Sequence, residues 1–320
     1  MFGVHYDTVA WTWAIPADKL ARTCNMLKSA IEGEEIPAGD VRKLAGKLIH
    51  VKPLVPAGRF NIDKIMRLYA AAAKTEEPMV IPGPCRRQLR FWLLFLQVCS
   101  GRVGIPRPVG KATVGALNAY TDAAGGSNDA IGRGTGGVLM DWWYYMPWAR
   151  RINAGGWRVD GKKVGRKLSA LELAGPLIVV AAAHKLCRGK TLNVWVDNAG
   201  SVEVFRKGYS RNCRLCTTIA KAAATVAAGI GCRLEILKIT RCSSTGAAMA
   251  DHLSKAKFSQ FRAVARAAGW CLQNQPAVIP TSLLRWLDRP GPCDSLEADI
   301  LRDIGREVPI AGYSADYAWM

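Results

Sequence analysis

Over the first hundred residues, apolar positions recur mainly at helical spacing. An alternating run, "TVAWTWAIP", predicts a strand ended by Pro16. Leu20, Cys24, Leu27 and Ile31 then lie three or four apart and predict a helix stopped by Gly33. Val41, Leu44, Leu48 and Val51 predict a second helix, ended by Pro53 and Pro56. A third is expected over residues 62–73. A fourth is expected in "PCRRQLRFWLLFLQVCSG", where Leu89, Trp92, Leu93 and Leu96 share a face. This part of the chain reads as mainly helical.

The pattern changes after the Pro- and Gly-rich stretch "GIPRPVG", which reads as a linker. "LNAYTD", "TGGVLMDWWYY" and "WARRIN" predict three short strands with Gly-rich turns. A helix is then predicted over 169–186, a strand in "TLNVWVD", a helix over 213–228 and a strand in "CRLEILKI". A meander followed by alternating helix and strand implies an α/β fold with a mixed five-stranded sheet flanked by helices. After "QPAVIP" proline is frequent, and one helix is expected over 294–306. The expected division is a helical region at 1–110, an α/β domain at 111–257 and a Pro-containing tail with a short helix at 258–320.

With half of its 320 residues hydrophobic and 22% charged, the chain reads as globular. No apolar run reaches the roughly 18 residues of a membrane span. The opening "MFGVHYDTVAW" lacks the order of a secretory signal. These features predict a soluble, intracellular protein, in cytoplasm or nucleus, with no membrane partner and with its ten cysteines reduced. Cys213 and Cys216 form a CxxC inside a predicted helix. Cys232 and Cys242 make no second pair, so core thiols are favoured over the zinc alternative.

Charge narrows the picture further. The net charge is +19, and residues 111–257 alone hold 22 basic and 9 acidic side chains. Such a segment suits a polyanion, nucleic acid foremost, with solubility or an acidic protein partner as alternatives. The cluster "GKKVGRK" (Lys162, Lys163, Arg166, Lys167) and the preceding Arg150 and Arg151 are candidate phosphate contacts; the alternative is a solvated face. Trp142, Trp143, Tyr144, Tyr145 and Trp148 either stack on nucleotides or pack the core.

Acids are scarce in this basic segment, so their positions are informative. Asp122 ends the first predicted strand, Glu172 opens the first helix, Asp197 ends the fourth strand, and Asp251 follows the last strand and its loop. Carboxylates at the ends of adjacent strands face one edge of a sheet, where divalent cations offset their repulsion. Each has a local alternative. Ser169-x-x-Glu172 fits a capping box, Asp122 and Asp197 fit strand-end turns, and Asp251 fits a helix cap. The ordered set is the stronger signal.

"YTDAAGGS", "GTGGVL", "LSALELAGPL", "VWVDNAGSV" and "MADHLSKA" resemble, in order, the motifs of the RNase H domain of retroelement polyproteins, closest to the DIRS-type retrotransposons. "GVHYDTVAWTWAIPADKL" and "VRKLAGKLIHVKPLVPAGRFNIDKIM" resemble the thumb and connection of the preceding reverse transcriptase, whose palm is expected upstream of Met1. The resemblance implies an RNase H-like fold. It also implies that Asp122, Glu172, Asp197 and Asp251 hold two ions, Mg²⁺ or Mn²⁺, to hydrolyse the RNA strand of an RNA–DNA hybrid. The upstream palm and fingers would be partners. The 2′-hydroxyl would distinguish RNA, with Ser127 and Asn128 as candidate contacts or else as plain turn residues.

Polymerase chemistry is not expected, because Tyr120-Thr121-Asp122 is followed by Ala123 rather than a second Asp. Two departures stand out. Pro176 should kink the helix bearing Glu172 unless that helix is short, and "TRCSSTGAAMA" lacks the His that some relatives place before the last acid. His252 is expected to be structural. The alternatives to a ribonuclease are an inactive nucleic-acid-binding remnant and a strand-transfer or resolvase nuclease of the same fold.

Overall fold

The computed structural model describes residues 4–7, 12–52, 55–98, 101–104, 115–124, 133–148, 157–159, 162–165, 168–210, 213–241, 243–273, 277–288 and 296–307. The chain forms two compact units, residues 1–108 and 109–319.

The first unit is built on α1 (Ala17–Glu32), α2 (Ala38–Val51), α3 (Asp63–Ala72) and α4 (Gly83–Val98). Short strands edge it: β1 (His5–Asp7), β2 (Thr12–Ala14) and β5 (Arg102–Gly104) form one antiparallel sheet, and β3 (Glu35–Ile36) pairs with β4 (Met79–Val80). The α2 stripe is buried as its spacing predicts. In α1 the buried line runs instead through Thr23, Leu27 and Ala30, with Leu20, Cys24 and Ile31 half-buried. Small residues let the helix pack closely, which hydrophobicity alone does not signal. Arginines from neighbouring elements satisfy the free carbonyls at two helix ends. Arg86 donates to Ile31 O (2.5 Å) and Gly33 O (2.7 Å), and Arg42 donates to Ala72 O (2.8 Å) while pairing with Glu76.

The second unit contains a five-stranded mixed sheet flanked by helices. Its strands are β6 (Leu117–Ala123), β7 (Gly134–Leu139), β8 (Trp142–Pro147), β11 (Thr191–Val196) and β12 (Arg233–Lys238), in the order β12-β11-β6-β7-β8. The β6-β7-β8 meander is antiparallel, while β11 runs parallel to both β6 and β12. A separate hairpin joins β9 (Trp157–Val159) and β10 (Lys162–Gly165). The helices are α5 (Leu168–Ala182), α6 (His184–Cys187), α7 (Ala199–Lys207), α8 (Arg214–Gly229), α9 (Thr245–Ser254), α10 (Phe258–Ala267), α11 (Thr281–Asp288) and α12 (Leu296–Glu307).

Side chains alternate across a strand, so the two sheet faces collect different residues. On one face α5 packs against β6 and β7, and α8 packs against α5. Every residue of α5 from Ala170 to Val180 is buried, as expected of a helix apolar on all sides. On the other face Val138 and Trp143 form a core with Met249 and Leu253 of α9 and Phe261 and Ala265 of α10, with Tyr120 packed beside them.

Three local expectations are corrected. "TGGVLMDWWYY" is a hairpin, not one strand: Leu139 pairs with Trp142 across Met140-Asp141, with Met140 at φ 55°. Neither turn residue is a Gly or Asn that would announce the turn. α5 continues through Pro176 to Ala182, its sheet and helix neighbours holding it in place. After residue 257 the described residues form three helices rather than one, with α12 packed on α8. Among the described residues, no helix is long and apolar enough to cross a membrane.

Candidate metal centre

The β6–β11 register sets up the site. Asn118 lies opposite Asn193 and Tyr120 opposite Trp195, and two residues further on the same face come Asp122 and Asp197. Tyr120 and Trp195 stack with ring centroids 6.4 Å apart, and Tyr120 is a packing residue under α9. The two acids thus emerge side by side at the carboxyl ends of parallel strands.

Two glycines bring helices onto this edge. Gly136 lies opposite Asp122 on β7, and a Cβ there would fall 2.3 Å from Leu253 Cβ. Its bare backbone admits the end of α9, which carries Asp251 and lets Ser254 Oγ donate to Asp122 Oδ2. Gly175 of α5 plays the same part on the opposite face, where a Cβ would lie 2.8 Å from Thr121. That approach sets Glu172, one helical turn earlier, at the end of β6.

Oxygens of Asp122, Glu172 and Asp197 all lie within 4.8 Å of one another. Asp251 is outside this group of three but borders it. Its Oδ1 accepts from Lys255 Nζ at 2.5 Å and lies 3.8 Å from Arg241 Nε. Arg241 is the residue that sequence reasoning missed. Its Nη2 and Nε meet Asp197 Oδ2 at 2.8 and 2.9 Å, and its Nη2 lies 4.0 Å from Asp122 Oδ1. It sits in the very loop noted for lacking His. The available signal was a basic residue three positions past a strand parallel to the one ending in Asp197. Lys238 Nζ donates to the Asp197 carbonyl, so the residue is gripped at backbone and side chain.

The local alternatives for these acids give way to other residues. Asn198, not Asp197, caps α7 by accepting from Ser201 N at 3.1 Å. Ser244 caps α9, and Asp251 is its seventh residue. Among the described residues, neither carboxylate oxygen of Glu172 has a hydrogen-bond partner, a capping bond included.

Electrostatically the cluster is short of positive charge. Glu172 is 1% exposed, and burial first, then Asp122 and Asp197, push its pKa up to about 9. The nearby Ala123 amide favours the charged form but is outweighed. Asp122 is also raised, chiefly by burial and further by Asp197 and Asp251, against the Ser254 bond and Arg241. Burial works against the Arg241 charge, but Asp197, Asp122 and Asp251 outweigh it and raise its pKa.

Neither a protein-family profile, nor a curated protein, nor a solved structure matches this chain. The geometry must speak alone. It fits a cation: three clustered carboxylates, one of them buried with no hydrogen-bond partner among the described residues, make an all-oxygen donor set for a hard metal ion.

The remaining candidates divide. Ser127, Asn128, Arg150, Arg151, Arg166 and Lys167 lie outside the described residues, as does Cys242. Lys162 and Lys163 lie on β10, and their side chains are outside the description. Trp142, Trp143, Tyr144 and Trp148 are buried, and Tyr145 is half-buried against Phe258. Their polar atoms face inward: Trp143 Nε1 donates to Gln273 O and Trp148 Nε1 to Ala124 O. These aromatics are core rather than nucleotide platforms. Cys213 Sγ accepts from Cys216 N at 3.4 Å, so the CxxC caps α8 with buried thiols. His252 is half-buried on α9.

Proposed function

We propose that the second unit is an RNase H-like domain that cuts the RNA strand of RNA–DNA hybrids with Mg²⁺ or Mn²⁺. One observation carries this proposal. Glu172 is a buried carboxylate with no hydrogen-bond partner among the described residues, within 4.8 Å of Asp122 and Asp197. The order of the five sequence motifs and the +13 charge of residues 111–257 support the same substrate class.

Asp122, Glu172, Asp197 and Asp251 would hold two divalent ions. When bound, such ions lower the pKa of an attacking water and stabilise the departing 3′-oxygen. The chain's own part is to pre-position ligands. Ser254 orients Asp122 through a hydrogen bond to Oδ2, and Lys255 fixes Asp251. Lys238 holds the Asp197 backbone. The packed Gly136 and Gly175 contacts keep α9 and α5 from drifting off the sheet edge. Lys162, Lys163, Arg166, Lys167, Arg150 and Arg151 would contact phosphates, and Ser127 and Asn128 the 2′-hydroxyl. We read the first unit, from the motifs it resembles, as the thumb and connection of a DIRS-type reverse transcriptase, for which palm and fingers would be partners.

A second reading, a binding remnant without catalysis, draws on Arg241, which already neutralises Asp197. Labelled RNA in a hybrid, incubated with the purified chain, separates the two. We expect cleavage with Mg²⁺ or Mn²⁺ and none with chelator. We expect Asp197→Asn to abolish cutting while salt-dependent binding persists. Tight binding by the wild type without any cutting would favour the remnant. Preference for duplex DNA would indicate another nuclease of this architecture.

A further inference from the structure

We propose that Arg241 is a built-in cation that latches the acidic cluster when no metal is bound and must let go of Asp197 when metal enters. This rests on the metal reading of the same site and adds a competitor within the chain. The position of Arg241 makes it suited to this. It follows β12 by three residues and precedes Ser244, the cap of α9. Ser243 closes the turn between them by donating from N and Oγ to Thr240 O at 3.1 and 2.7 Å. From there one guanidinium reaches Asp197 of the β11 end, Asp122 of β6 and Asp251 of α9.

The contacts are unequal, and the inequality carries the inference. Only Asp197 is hydrogen-bonded, and both donors converge on the same oxygen, Oδ2. Asp122 and Asp251 feel Arg241 at 4.0 and 3.8 Å, as charge rather than as a bond. The guanidinium makes no hydrogen bond to Glu172, whose oxygens have no hydrogen-bond partner among the described residues. Arg241 therefore covers the outer rim of the cluster and leaves its buried floor unmet. A divalent cation held by Asp122, Glu172 and Asp197 would draw on the Asp197 carboxylate that Arg241 already occupies. Two cations competing for one carboxylate are linked, so each weakens the other's hold. The Arg241 side chain is 55% exposed, which leaves it a route outward into solvent. A guanidinium freed at the mouth is a two-toothed phosphate donor, so its release would place a phosphate ligand beside the ions.

The test titrates Mn²⁺ into the protein without nucleic acid, by calorimetry, and follows melting with and without Mn²⁺. Arg241→Gln should bind Mn²⁺ roughly three- to tenfold more tightly than wild type, on the scale of one partly exposed, charge-assisted pair. Its metal-free melting temperature should fall, and Mn²⁺ should raise it by more than in wild type. Arg241→Lys keeps the charge but not the paired donors, so it should lie between the two; it also decides the matter if Arg241→Gln does not fold. Mn²⁺ affinity that is unchanged or weaker in both variants would overturn the latch while leaving the metal site standing. Absence of saturable Mn²⁺ binding in the wild type would overturn the metal reading and the latch together.

Discussion

Glu297 and Glu172 are both buried in the second unit, yet the fold treats them oppositely. Glu297, in the first turn of α12, meets Lys221 of α8 at 3.4 Å. Burying a carboxylate costs roughly several kcal/mol unless a cation or donors meet it, and Lys221 meets this one. Glu172 is deeper, at 1% exposure, and has two acids nearby instead of a base. Among the described residues, the cation that acts on it is Arg241, from a distance and at the rim. Packing explains Glu297, which ties α12 to α8. Packing does not explain Glu172, where Gln would fill the same space with less electrostatic cost. The contrast marks Glu172 as a group held ready for a charge from outside.

The largest expected effect comes from exchanging each for its neutral isostere. Glu172→Gln should lower hybrid cleavage by roughly a hundredfold or more, while the metal-free fold becomes more stable. Glu297→Gln should leave cleavage within about twofold and cost about 1–2 kcal/mol, a discounted figure because Lys221 is 30% exposed. Cleavage assays and urea melts on the same preparations check both. Equal losses of activity in the two variants would erase the contrast.

A smaller effect lies in pH. The folded-state pKa of Glu172 is raised above its ordinary 4.5 to about 9, so the native state keeps a proton that the unfolded chain has lost. Stability without metal should therefore fall as pH rises from about 4.5 towards about 9. Glu172→Gln should flatten that slope, and excess Mg²⁺ should reduce it in the wild type. Urea melts in chelator from pH 5 to 9 measure the difference directly.

The smallest change is at Ser254. Its hydroxyl lowers the Asp122 pKa and orients Oδ2. Ser254→Ala should push that pKa further up, weaken Mn²⁺ binding a few-fold and cost about 1 kcal/mol of stability. Thermal melts and a Mn²⁺ titration read both; no change in either would mean that the β6 backbone alone places Asp122.

Much of this was legible beforehand. β6, β11 and β12 are short β-rich runs between turn signals, and Asp122 and Asp197 sit at the ends of two of them, whereas the helix that carries Asp251 was not expected. What stayed hidden depends on tertiary contact. The Met140-Asp141 turn uses an apolar residue at positive φ, which no turn rule selects. α10 and α11 become recognisable only when their apolar faces meet a partner, as Phe261 and Ala265 do under Trp143. The isolation of Glu172 could not be read either, because Ser169-x-x-Glu172 is also a sound capping box, and only the folded chain shows the bond unmade. Arg241 belongs to no motif. In its loop a guanidinium, not a histidine, lies among three acids.

The most direct test of the central claim is calorimetric titration of Mn²⁺ into wild-type protein and Glu172→Gln at pH 7, repeated in two buffers of different ionisation heat. The wild type should bind saturably and release about one proton, because the Glu172 carboxyl must ionise to take up the ion. Glu172→Gln should bind far more weakly and release none. Identical affinity and proton release in the two proteins would contradict the account.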